Sequence, residues 1–244
     1  MGNYKQLVEP KRKEMDVRYE KCTEFKEWKR FEIMDSGRLY RVQKEDVERL
    51  KELLTECFEG DPLYCKLIPD GKTRSRLLPE LFECDMEEFL ETCEIYADSP
   101  EINGILVVDD ESQPYNSFHY YLAEAAALLK TDGYLIKEDP TLRTFWNFFQ
   151  GRGYLNSRWT DELEQEKRMH IIYLAVRPAM QHHGLSSLLL REAIHYADRN
   201  QLMISLETHN ENNVPFYEHF GFKVFTIVEK HLHLKQYCMV RDIK

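Results

Sequence analysis

The sequence predicts an α/β protein, and three observations in its last third predict it. MHIIYLAV (169–176) is a nearly continuous apolar run, as a central strand covered on both faces requires. HHGLSSLLLREAIHYADR (182–199) places Leu185, Leu189, Ala193 and Tyr196 along one helical face. LMISLET (202–208) is a second strand, so strand, helix and strand make a βαβ unit with a right-handed crossover.

The remaining elements follow in chain order. Residues 1–36 are strongly charged but carry Phe25, Trp28, Phe31 and Ile33. They read as a helical extension that lies against the main domain or mediates self-association in a homodimer. Arg38–Val42 reads as a short strand. KEDVERLKELLTECF (44–58) repeats Val47, Leu50, Leu54 and Phe58 at helical spacing, and Pro62 interrupts that pattern. Leu77, Leu78, Leu81, Phe82, Met86 and Phe89 form another helical stripe over 77–90. EIYADSP (94–100) and INGILVVDD (102–110) read as two strands. FHYYLAEAAALLK (118–130) predicts a helix that ends before Asp132-Gly133. The aromatic segment 140–159 predicts a further helix and a loop. VPFYEHFGF (214–222) is a short helix stopped by Gly221, and VFTIVEK (224–230) and LKQYCMV (234–240) close the chain as strands. With no repeat or low-complexity linker, 37–244 reads as one domain.

Composition narrows the function classes. Apolar residues make up 43% of the 244 positions and aromatic residues 12%, enough for a sizeable core. Asp and Glu number 43 against 33 Lys and Arg, a formal charge of -10. That balance disfavours a nucleic-acid partner and suits a cationic small substrate, although acidity also serves solubility alone. The cysteines, Cys22, Cys57, Cys65, Cys84, Cys93 and Cys238, form no CxxC pair, which predicts free thiols in a reducing, cytoplasmic compartment and no zinc site. MGNYKQLVEPKRKEMD (1–16) lacks the apolar segment of a secretory signal, and Gln6 stands where a myristoylation motif wants Ser or Thr. No apolar run approaches the ~20 residues of a membrane span, so no membrane partner is expected.

Between the 169–176 strand and the helix after it lies Gln181-His182-His183-Gly184-Leu185-Ser186. The first turn of a helix leaves backbone N–H groups unpaired, and these can converge on a phosphate with help from the helix dipole. Gly184 lets the backbone approach a ligand closely, although an ordinary strand–helix turn also contains such a glycine. A Walker loop is excluded by the missing lysine and glycines, and a dinucleotide fold by the missing GxGxxG.

Gln-x-x-Gly-x-Ser at 181–186 resembles the Gln/Arg-x-x-Gly-x-Gly/Ala signature of the GNAT acetyltransferase superfamily. Leu206-Glu207-Thr208, followed by Asn213-Val214-Pro215-Phe216-Tyr217-Glu218 and Gly221-Phe222, resembles that family's second signature. Ser186 departs from the usual Gly or Ala. LETHNENNVPFYEHFGF (206–222), with DPLYCKLIPD (61–70), is similar to the antibiotic-type branch that includes puromycin acetyltransferase.

The resemblance implies a mixed, strongly twisted central sheet with helices on both faces. Its parallel central strands, 171–176 and 202–208, would splay apart. It implies acetyl-CoA as cofactor, the pantetheine arm against the main chain of Leu174, Ala175 and Val176. The pyrophosphate would lie over the amides of 182–187, with Gln181, His182, His183, Gly184, Leu185, Ser186 and Ser187 forming the loop. Asn213 or Asn210 would contact the arm, although Asn213 equally suits a helix N-cap. Tyr217 would sit near the coenzyme sulfur and assist the leaving thiolate, unless it only packs its helix. Glu207, at the C-terminal end of a parallel strand, would receive the amine proton directly or through water, unless it faces away from the cleft. Glu124 and His170 are further candidates for that role. His182 and His183 lack a third ligand, so no metal is expected.

The implied reaction is transfer of an acetyl group from acetyl-CoA to a primary amine of a small molecule by direct attack. A protein or peptide N-acetyltransferase and a non-catalytic CoA-binding regulatory domain are the alternatives. Tyr120, Tyr121, Trp146, Phe149, Tyr154 and Trp159 can wall an acceptor pocket or serve as ordinary core. Glu124 and Asp161 can pair with a charged amine.

Overall fold

The computed structural model describes residues 38–112, 117–165, 167–230 and 232–243, with the backbone alone over 117–121. The extension expected over 1–36 and the side chains of Tyr120 and Tyr121 lie outside the described residues.

Alternating apolar runs set the sheet. Strands β1 (Tyr40–Arg41), β2 (Glu94–Ala97), β3 (Gly104–Asp110), β4 (Arg168–Val176), β5 (Met203–Thr208), β6 (Lys223–Glu229) and β7 (Lys235–Arg241) line up as β1-β2-β3-β4-β5-β7-β6. β4 and β5 run parallel and every other neighbouring pair is antiparallel, so the sheet is mixed.

Helices cover both faces. They are α1 (Val47–Phe58), α2 (Pro62–Leu67), α3 (Gly71–Thr92), α4 (Ser117–Glu138), α5 (Arg143–Leu155), α6 (Leu185–Asn200) and α7 (Val214–His219). Successive side chains of a strand point to opposite faces, and β3 shows the division. Ile105 and Val107 join a core with α1, α2, α3, Leu135 of α4 and Phe148 and Tyr154 of α5. Leu106 and Val108 join a second core with α6 and with Tyr217 of α7.

Local chemistry corrects three boundaries. Pro62 does not merely end α1; it opens α2, where Asp61 caps the helix by accepting from the Leu63 N–H at 2.8 Å. The stripe at 77–90 starts earlier, because Asp70 accepts from the Thr73 N–H at 2.7 Å and caps α3. α4 runs through Asp132-Gly133 to Glu138. Beyond that glycine Leu135 is 1% exposed, and burying a leucine at ~1.5–3 kcal/mol outweighs the ~1 kcal/mol penalty of a helical glycine.

The sheet opens at its centre. Parallel rungs join Arg168 to Met203, Met169 to Ile204, His170 to Ser205 and Ile171 to Leu206, and end there. β4 continues to Val176 with β3 as its paired neighbour, while β5 continues to Thr208 beside β7. A bulge opposite Val107 and Val108 inserts Ile172 and reverses which residues face the gap. Below it, Lys167 O accepts from Met203 N–H and Arg168 O from Glu111 N–H, so odd-numbered residues turn to β5. Above it, Arg177 N–H donates to Asn103 O on the β3 side. By the alternation of an antiparallel ladder, the main-chain groups of Val176 and Leu174 then face the side that β5 has left.

Candidate active site

The gap is flanked by the α6 loop. Gly184 sits at the N-cap of α6 with φ +83°, a conformation glycine adopts without strain, and a Cβ there would meet nothing within 4 Å. The first main-chain bond of the helix runs from Leu188 N–H to Gly184 O. The amides of Leu185, Ser186 and Ser187 therefore precede any partner within the helix. Gln181 Nε2 donates to Val176 O at 3.2 Å, tying the loop back to the end of β4. His183 Nδ1 lies 2.8 Å from Gln181 O, and both histidines are exposed. His182 shares the left-handed backbone at φ +64°. No cluster of three or more potential metal ligands occurs among the described residues.

Ala175 differs from its neighbours. It pairs with Ile105 and its side chain enters the α1–α5 core, so its main chain turns towards β3. Leu174 and Val176 alone of that trio turn backbone towards the gap, although the Val176 carbonyl already accepts from Gln181 Nε2 and Cys57 Sγ, each at 3.2 Å. Asn210 accepts from Asn212 N–H at 3.1 Å and caps the short turn Glu211–Asn213. Asn213 occupies the N-cap position of α7 without capping it; its Nδ2 donates instead to Thr208 Oγ1 at 3.3 Å.

Tyr217 and Glu207 lie on opposite faces of the sheet. Tyr217 is buried in the α6–α7 core, its ring packed edge-on to Phe216 and Phe222 at 5.3 and 5.8 Å. Its hydroxyl has no hydrogen-bond partner among the described residues, and burial pushes its pKa up to about 12. Glu207 points the other way. Ile204 and Leu206 enter the α6–α7 core, so Ser205 and Glu207 face the α1–α5 layer.

Partners far away in sequence hold Glu207. Ser157 Oγ donates to Oε1 at 2.6 Å, Trp159 Nε1 to Oε2 at 3.0 Å, and His170 Nε2 lies 3.2 Å from Oε2. His170 Nδ1 is 2.8 Å from Ser205 Oγ, which fixes the ring from behind. Burial works against the carboxylate charge, but the His170 charge and these donors outweigh it and hold Glu207 down to about 2. For His170 burial opposes the charged form, and the Glu207 carboxylate raises its pKa above the ordinary imidazole value. Both shifts favour the charged forms of the pair. A carboxylate held so low accepts a proton weakly and favours a positive charge beside it.

The other expected residues divide. Tyr154 and Trp159 are core, at 2% and 6% exposure, whereas Trp146 and Phe149 stack on each other at 5.2 Å on the surface. Glu124 and Asp161 are exposed. Sequence reasoning missed Ser157 and the polar use of Trp159, because no spacing links them to Glu207. It also missed His209 just beyond β5, whose Nε2 is buried without a partner, and Asn156, whose Oδ1 is in the same condition. Burial drives the His209 pKa down to about 4, so its ring is neutral at physiological pH.

Comparison with known proteins adds a family to this geometry. The model of the Acetyltransferase (GNAT) family matches residues 80–222. Among solved structures, histone acetyltransferase HPA2 and related acetyltransferase from Corynebacterium glutamicum superposes with a TM-score of 0.58 at 19% identity, covering 84% of this chain and 96% of that one. Arylalkylamine N-acetyltransferase 2 from Aedes aegypti gives 0.49 at 13% identity, over 85% of this chain and 99% of that one. Ribosomal-protein-S18-alanine N-acetyltransferase from Escherichia coli gives 0.47 at 12%, over 84% and 93%. No curated protein sequence matches the chain. The matched span runs from within α3 through β4, the α6 loop, β5 and Tyr217, and the chain belongs to the GNAT acetyltransferase family.

Proposed function

We propose that this protein transfers an acetyl group from acetyl-CoA to a primary amine of a small molecule, with Tyr217 and Glu207 on opposite sides of the reacting atoms. The observation that supports this reading is the central gap where β4 and β5 part, with Tyr217 in the core on one face of the sheet and Glu207 bonded to Ser157 on the other.

The residues present fit the cofactor. The main chain of Leu174 and Val176 faces the gap and suits an amide-bearing arm, which needs backbone donors and acceptors along its length. The amides of 182–187 suit a pyrophosphate, with Gly184 leaving the approach free of side-chain atoms. Gln181 acts through Val176 by holding the loop. Asn213, tied to Thr208, and Asn210 line the exit of β5 on the same side. Acetyl-CoA, when bound, supplies the acetyl group as a thioester.

Tyr217 stays protonated at neutral pH and donates a hydrogen bond to the departing sulfur. With its pKa near 12 against ~8.5 for an ordinary thiol, it stabilises developing negative charge more than it completes a proton transfer. Glu207 remains ionised and holds the incoming cation in place on the other face. Orientation across the gap supplies most of the rate. The net charge of -10 favours arrival of a cation and disfavours a polyphosphate backbone. No helix among the described residues is long and apolar enough to cross a membrane.

Thiol release with a panel of small primary amines, set beside lysine-bearing and free-N-terminal peptides, tests the reading. Specificity constants should favour small amines. If peptides prevail by orders of magnitude, the acceptor is a polypeptide and the exposed Trp146–Phe149 surface belongs to its groove.

A further inference from the structure

A strap of residues crosses the open end of β5. The Tyr154 ring stands edge-on to His209 at 5.9 Å, Ser157 Oγ bonds Glu207 at 2.6 Å and Trp159 Nε1 bonds it at 3.0 Å. Asn156 lies between the first two of these contacts. Its Oδ1 and His209 Nε2 are buried with no partner among the described residues. Buried polar atoms are nearly always paired, and leaving one unpaired costs free energy, so one on the strap and one on the segment it crosses need an explanation.

The chemistry of the three groups is complementary to one ligand. Glu207 offers a carboxylate oxygen with negative charge, Asn156 a carbonyl oxygen and neutral His209 a ring lone pair. With the His209 proton on Nδ1, all three atoms accept hydrogen bonds and none brings a donor of its own. A primary ammonium carries three N–H donors that point in different directions. A secondary ammonium carries two and a hydroxyl one, so each would leave at least one of these acceptors unpaired. Glu207 keeps 18% of its side chain open, which gives the entry.

We infer that Asn156, His209 and Glu207 form the seat of the acceptor ammonium and make the site selective for primary amines. This rests on the acetyl-transfer reading above. The seat holds the nitrogen; loss of one proton to solvent frees the lone pair, which forms the C–N bond to the thioester carbonyl carbon as the C–S bond breaks. The second N–H proton leaves with the sulfur as thiol, and amide, thiol and one released proton balance the reactants. His209 and Asn156 thereby set specificity, and Glu207, shared with His170, supplies one further carboxylate oxygen.

The test compares wild type with Asn156→Leu, His209→Phe and His209→Gln. Calorimetry with acetyl-CoA and thiol release with the best primary amine of a panel establish the underlying reading first. If wild type neither binds acetyl-CoA nor acetylates any amine, that reading falls and takes the seat with it. If wild type is active, Asn156→Leu and His209→Phe should raise KM for the primary amine ~10–100-fold, the cost of losing a hydrogen bond to a charged group. They should also shrink its preference over the N-methyl derivative, while acetyl-CoA affinity stays unchanged. His209→Gln keeps an acceptor and should recover part of the loss. Because each apolar substitution removes an unpaired buried group, melting temperatures without ligand should hold or rise; a purely structural role predicts a fall. A second readout needs no variant: the His209 imidazole 15N resonance should shift when wild type bound to CoA is titrated with benzylamine. Unchanged KM and unchanged preference in folded variants, or a silent His209 resonance under saturating amine, overturns the seat and leaves acetyl transfer standing.

Discussion

The two sides of the central gap are built in different ways. On the α6 side, everything that meets the gap comes from two short stretches of chain, 174–187 and 208–217. Backbone conformation does the work there: a bulge that redirects Leu174 and Val176, and a left-handed Gly184 that opens a helix. On the other side, Glu207 is held by Ser157 and Trp159, at the start of the short 3₁₀ turn Arg158–Glu162, and by His170 of β4. A site made of main chain tolerates side-chain change but not a change in backbone angle. A site made of buried charge tolerates the reverse. Substitutions on the two sides should therefore fail in different ways.

The largest effect is expected at Glu207. Glu207→Leu strips the partner from a buried His170 and leaves Ser157 and Trp159 without their acceptor. Breaking such a pair costs ~3–5 kcal/mol, which urea unfolding of the variant reads directly. A loss below ~1 kcal/mol would show that the ionic centre is not buried as described.

On the opposite face the effect should be kinetic. Tyr217→Phe keeps the edge-on contacts with Phe216 and Phe222 and removes only the hydroxyl. Turnover should fall ~10²-fold, the lower end of acid–base assistance, with acetyl-CoA affinity and folding stability nearly unchanged. Wild-type turnover with chemistry rate-limiting would reduce Tyr217 to a packing residue.

A smaller effect separates the sides by pH. Glu207 has a folded pKa of about 2, below its unfolded value, so its contribution is present above ~4.3 and is lost as pH falls towards 2. The His170 pKa is raised, so its contribution is full below ~6.5 and is lost as pH rises through the folded value. Melting temperature should fall on the alkaline side in wild type, and that fall should be smaller in His170→Gln. Equal alkaline slopes would mean that the pair is not ionic.

The same contrast explains what could be read from sequence. The βαβ unit was legible because Met169–Val176, Leu185–Tyr196 and Leu202–Thr208 each carry their periodicity within one window. The loop was legible because Gln181 and Gly184 act on neighbouring backbone. The outcome at Asp132-Gly133 was not, since the burial of Leu135 against other helices decides it. Nor was the setting of Glu207, whose partners at 157 and 159 leave no pattern in the chain. Ala175 shows a finer limit: only the inserted Ile172 determines that its main chain turns away from the gap while Leu174 and Val176 face it.

Cofactor binding at the α6 loop is tested most directly by calorimetric titration of acetyl-CoA into wild type and Gly184→Val. Nothing in the protein lies within 4 Å of a Cβ at this position, so harm must come from a β-branched residue at φ +83° and from crowding of the bound pyrophosphate. Left-handed backbone alone costs ~1–2 kcal/mol. The prediction is clear saturable binding to wild type and at least tenfold weaker binding to a folded Gly184→Val variant. No heat of binding to folded wild type, or equal affinity in the variant, would contradict it.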